Sequence, residues 1–114
     1  MMNDEQLTAW AAGMLDAGGY LINSVEQGPT RMYRTITLLV VTGDSKGAER
    51  LITAAGNGNV SGYSPQHFIW ELQGIDAIRG FLEDMWPLLM PTTRSKFNME
   101  IKRYRLYASG KLAS

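Results

Sequence analysis

Apolar and polar positions change period several times along the chain, and each change marks an element. Between residues 4 and 17, Leu7, Ala11, Met14 and Leu15 recur on one helical face, with Asn3 or Asp4 placed to cap the helix. The stretches "YLINSVE" (residues 20–26) and "RMYRTITLLVV" (residues 31–41) are rich in β-branched and aromatic residues. With the turn "QGPT" between them they predict a hairpin. The second stretch starts in alternation and ends in an apolar run. Asp44 or Ser45 caps the next helix, whose buried side carries Ala48, Leu51, Ile52 and Ala55, and Gly56 suits its left-handed C-cap. A short strand at Asn59–Ser61, a turn through "GYSP" and a strand "QHFIWELQ" predict a second hairpin. In "IDAIRGFLEDMW" (residues 75–86), Ile75, Ile78, Phe81, Leu82 and Met85 recur at helical spacing. Pro87 and Pro91 interrupt the chain, and Thr92 or Thr93 opens a last helix over about residues 92–108. There Phe97, Ile101 and Tyr104 share one face, and Lys96, Glu100 and Arg103 the other.

The predicted order is α-β-β-α-β-β-α-α, two αββ units in tandem followed by helices. It implies an α+β fold with a four-stranded, largely antiparallel sheet and helices on one face. The other face must then meet a partner or solvent. At 114 residues and 45% hydrophobic content, residues 1–114 suit a single domain with a modest core. No window approaches a membrane span, and the acidic, polar start "MMNDEQLTAW" does not look like a signal peptide. The chain has no cysteine, which excludes disulfides, cysteine-based zinc sites and thiol chemistry and points to a cytoplasmic protein. Formal charge is zero but uneven. Arg94, Lys96, Lys102, Arg103, Arg105 and Lys111 face only Glu100 within residues 94–111, leaving the remainder acidic. Such a basic end seeks phosphate in some proteins and is a solvated helix face in more.

The first helix carries an unusual stripe. Ala9, Ala12, Gly13 and Asp16 sit at i, i+3, i+4 and i+7, with little side-chain volume. Stripes of this kind let two backbones approach closely. Glycine inside a helix costs about 0.5–1 kcal/mol relative to alanine, so Gly13 suggests a close neighbour. On composition alone, ordinary packing of small residues within one chain is the favoured reading of the stripe.

The segment "AAGMLDAGG" resembles the nine-residue motif that names the LAGLIDADG homing endonucleases. Ala12, Gly13, Asp16, Ala17 and Gly19 match as identities, and Ala11, Met14 and Leu15 are apolar substitutes. "ERLITAAGNGNV" is similar to the family's second helix and third strand, and "IDAIRGFLEDMWPLL" to its third helix and proline-marked end. The resemblance spans roughly residues 7–105 in the same element order. It implies an αββαββα half-saddle that pairs as a homodimer through the first helix, placing Ala9, Ala12, Gly13, Asp16 and Ala17 at the interface. It further implies a sheet laid across the major groove of double-stranded DNA, as β-surfaces can lie.

The same resemblance exposes departures. The family's motif supplies a carboxylate at its eighth position, beside the dimer axis, where the two subunits together hold divalent metal. Mg²⁺ needs hard oxygen ligands, and metal-assisted phosphodiester cleavage depends on them. Here that position is Gly18. Asp16, two residues earlier at about 100° per residue, points to another side of the helix, and its family counterpart looks structural. A lysine that the family commonly places beyond the proline corresponds to Thr92, with Arg94 and Lys96 displaced along the chain. A glutamine-type residue at the end of the second strand corresponds to Gly43. No catalytic or metal-binding residue is therefore assigned, and Mg²⁺ is expected only if the chain is an active nuclease.

What the resemblance leaves is binding. The candidate DNA contacts are Arg31, Tyr33, Arg34, Thr35, Thr37, Ser61, Tyr63, Gln66 and His67, with Lys102, Arg103 and Arg105 as further phosphate contacts. A one-residue register shift would flip a strand's face, and Glu26 and Glu71 also fall where they could face the saddle. "VVTGDSKGAE" lacks the spacing of a phosphate loop, and one histidine, His67, cannot build a Ser-His-Asp triad. Three readings remain open: a catalytically degenerate DNA-binding homodimer serving a phage or mobile element, an active metal-dependent endonuclease, and a protein-interaction module using the sheet face.

Overall fold

Capping and turn chemistry place the element boundaries. The computed structural model describes residues 2–64 and 66–108. Helix α1 runs Asp4–Gly18, and Asn3 caps it: Asn3 Oδ1 accepts from Gln6 N at 2.8 Å while Gln6 Oε1 accepts from Asn3 N at 3.1 Å. Strands β1 (Gly19–Gln27) and β2 (Met32–Thr42) form the first hairpin, closed where Gly28 N donates to Arg31 O at 2.8 Å. Asp44 caps α2 (Ser45–Ala55) through Gly47 N, and Gly56 ends it at φ 73°, the left-handed geometry expected of that glycine. Strand β3 (Asn59–Ser64) runs three residues further than the pattern predicts and pairs with β4 (His67–Gln73) across a register irregularity between Gly62 and Ser64. Helix α3 (Ile75–Met85) leads through a short 3-10 turn (Trp86–Leu88) to α4 (Pro91–Ala108). The last helix starts at Pro91, because proline's missing N–H and fixed φ suit a first turn.

The four strands form one antiparallel sheet in the order β1-β2-β4-β3. Alternation puts Leu21, Ile36, Leu38, Val40, Trp70 and Leu72 on one face, all buried. Helices α1, α2 and α3 cover them with Ala11, Leu15, Leu51, Ile78, Phe81 and Met85, and α4 adds Phe97. Trp70 is the largest of these fully buried side chains. Its ring meets Phe81 edge-on at 5.4 Å, and its Nε1–H donates to Asn57 O at 3.2 Å, so its one polar atom is satisfied. The expected sheet, with helices on one face, is the sheet observed.

Trp10 is half-buried and packs against the core cluster, and the Arg50 guanidinium of α2 lies 5.1 Å from its ring centroid. One expectation about side-chain surroundings changes. Glu100 does not share a solvated face with Lys96. It is half-buried, and its Oε2 accepts from Asn23 Nδ2 of β1 at 2.6 Å while its Oε1 pairs with Arg103 at 3.4 Å.

Candidate nucleic-acid interface

Because partners in an antiparallel ladder share a face, the register assigns every strand residue to one side of the sheet. The side without helices reads in cross-strand rungs: Tyr20, Leu39, Glu71 and Asn59; Ile22, Thr37 and Gln73; Val41, Ile69 and Ser61; Ser24 and Thr35; Glu26 and Tyr33. Of the candidate contacts, Tyr33, Thr35, Thr37 and Ser61 lie together on this bare face. Arg31 is exposed in the tip of the first hairpin, and Gln66 and His67 are exposed where the second hairpin turns into β4. The side chain of Tyr63 lies outside the described residues.

Arg34 is a correction. It pairs with Val25 and shares the parity of Ile36 and Leu38, so it lies half-buried on the helix-covered side. Strand alternation admits one of two adjacent residues to a face, and Tyr33 takes the bare one. Glu26 and Glu71 do fall on the bare face. Tyr20, Ile22, Leu39, Val41 and Ile69, which look like core residues by composition, also lie on the bare face. Their alternation with Leu21, Leu38, Val40 and Trp70 is the signal in the sequence. Lys102, Arg103 and Arg105 sit on α4, which packs on the opposite layer.

The foot of α1 is built for structure. Met90 N donates to Asp16 Oδ1 at 3.0 Å, so that carboxylate holds the start of α4. Gly18 offers no side chain, and a Cβ placed there would meet nothing within 4 Å. Among the described residues, no group of three His, Cys, Asp or Glu side chains is arranged to hold a metal ion. Gly18 thus supplies no hard anionic oxygen for a divalent cation at this position.

The small-residue stripe splits. Ala9, Gly13 and Ala17 are exposed along α1, and a Cβ at Gly13 would also meet nothing within 4 Å. Ala12 is a correction: at 2% exposure it belongs to the chain's own core beside Ala11 and Leu15. Asp16 is half-buried and engaged with Met90. No described helix is long and apolar enough to cross a membrane.

No family model matches the sequence, and no curated protein matches it. Solved structures do match. Homing endonuclease I-CvuI, solved in complex with its target, shares 18% identity at a TM-score of 0.73 over 90% of this chain and 68% of that one. Homing endonuclease I-TnaI shares 13% identity at a TM-score of 0.74 over 99% of this chain and 78% of that one. The LAGLIDADG meganuclease I-CpaMI, bound to uncleaved DNA, shares 11% identity at a TM-score of 0.73 over 100% of this chain and 39% of that one. Element order, sheet order and these superpositions together give the chain the half-saddle fold of the LAGLIDADG homing endonucleases.

Proposed function

We propose that the chain binds double-stranded DNA as a homodimer joined through α1 and that its cleavage activity is lost or severely reduced. The carrying observation is the match of 90% of the chain to homing endonuclease I-CvuI, which was solved in complex with its target. A unit that spans 39% of I-CpaMI has the size expected if two copies make one complete saddle. The exposed row of Ala9, Gly13 and Ala17 supports a close helix–helix seam.

Loss of cleavage follows from chemistry at the helix foot. Each copy would bring Gly18 where a carboxylate is needed and Thr92 where a lysine is expected, so pairing doubles both deficits. Binding without cutting suits a regulatory or accessory role in a phage or mobile element. Selection from a random duplex library, followed by cleavage assays on the enriched duplex with Mg²⁺ and Mn²⁺, tests both halves of the proposal. An enriched duplex that stays intact is the expected result. Metal-dependent cutting restores the active-endonuclease reading, and no enrichment removes the DNA-binding one.

A further inference from the structure

The bare face has a chemistry more specific than DNA affinity in general. Among the described residues, its strands present no lysine or arginine. Their one cationic side chain, Arg34, lies on the other side. What the face does present is an apolar group of Tyr20, Ile22, Leu39, Val41 and Ile69, flanked by Thr37, Gln73, Asn59 and Glu71. Tyr20 and Ile22 are 59% and 42% exposed, so their apolar surface is open to a ligand.

Major-groove edges differ in what they require. Guanine offers O6 and N7 and is read by the bidentate fork of arginine or by lysine, which this face lacks. Thymine offers a methyl group, which apolar side chains contact. Adenine offers the N6/N7 pair that Asn or Gln matches, and cytosine an amino group that a carboxylate accepts. Ile22, Leu39, Val41 and Ile69 fit the methyl, Gln73 and Asn59 fit adenine, and Glu71 can accept from the N6 amino group of adenine as well as from the N4 amino group of cytosine. A carboxylate aimed at base amines is compatible with the groove floor; aimed at phosphate it would repel.

Resting on the DNA-binding reading above, we infer that the bare face recognises duplexes by thymine methyl groups and adenine edges, so that its sites are A·T-rich and lack arginine–guanine contacts under the sheet. The test uses the full chain. A random duplex library is selected, and the enriched duplex is resynthesised with deoxyuridine for thymidine, which removes the methyl groups and leaves the Watson–Crick edges and phosphates unchanged. Enrichment of A·T steps is expected, with affinity falling about fourfold for each contacted methyl removed. Ile22→Ser, on an exposed position that leaves the melting temperature near that of the parent, should abolish the difference at one of those thymines. An enriched duplex that is guanine-rich, or one indifferent to uracil, overturns this inference and leaves DNA binding standing. No enriched duplex, with a stably captured protein in its place, overturns both.

Discussion

The carboxylate of Asp16, at the end of α1, accepts the main-chain N–H of Met90 at 3.0 Å, just before α4 begins. An anionic acceptor at a helix N-terminus satisfies a donor that the helix itself leaves free and suits the positive end of its dipole. One residue of the LAGLIDADG-like motif therefore fastens the last helix to the first. Asp16→Ala is expected to lower stability by about 0.5–2 kcal/mol, as loss of a helix cap does, with Asp16→Asn retaining part of it. Urea denaturation reads this directly, and an unchanged midpoint for the alanine variant would mean that the contact contributes nothing.

In the proposed dimer, Gly13 would bear on assembly and not on the fold. A Cβ there would meet nothing within 4 Å in the protomer, so a larger side chain is expected to leave the monomer intact. Gly13→Leu should weaken self-association by about tenfold or more, because overpacking a close seam costs ~1–3 kcal/mol. Sedimentation equilibrium measures it. A dimer of undiminished affinity would move the seam away from Gly13.

Gly18→Asp restores a carboxylate at the motif's eighth position. The expected gain is partial metal binding, read by calorimetric titration with Ca²⁺, and little Mg²⁺-dependent cleavage of the selected duplex. Thr92 still leaves the phosphate side without a cation. Full cleavage from this one change would show that no further group is required.

Gly58 is a position of the opposite kind. Its φ is +126°, and a Cβ would run into the Trp70 indole at the centre of the core. Gly58→Ala should destabilise the protein by about 2–4 kcal/mol through strain and displacement of the ring. A thermal melt within a degree or two of the parent would contradict the close approach.

Salt dependence reports where phosphates are held. If Arg31 at the exposed hairpin tip is each protomer's phosphate contact, the proposed dimer neutralises about two phosphates, and affinity should fall only about tenfold between 50 and 200 mM salt. Fluorescence anisotropy across that range gives the slope. A loss on the order of a thousandfold would place the duplex against the basic side chains of α4 instead.

Local chemistry determined much of this protein without reference to the folded chain. The caps at Asn3 and Asp44, the left-handed Gly56 and the helical spacing of Ile78, Phe81, Leu82 and Met85 are each legible from neighbouring residues. The absence of a carboxylate at residue 18 is a fact of sequence alone. Tertiary structure decided what each face meets. Arg34 and Tyr33 are adjacent and equally plausible as DNA contacts until the β1–β2 register assigns them opposite sides. Ala12 and Gly13 are alike in size, yet α1 is rotated so that one lies in the core and the other is exposed. Glu100 reads as solvated until Asn23, 77 residues away, reaches it. Side-chain periodicity is local and survives in the sequence. Which face of a strand or helix is covered depends on contacts between distant segments, and these exist only once the chain has packed.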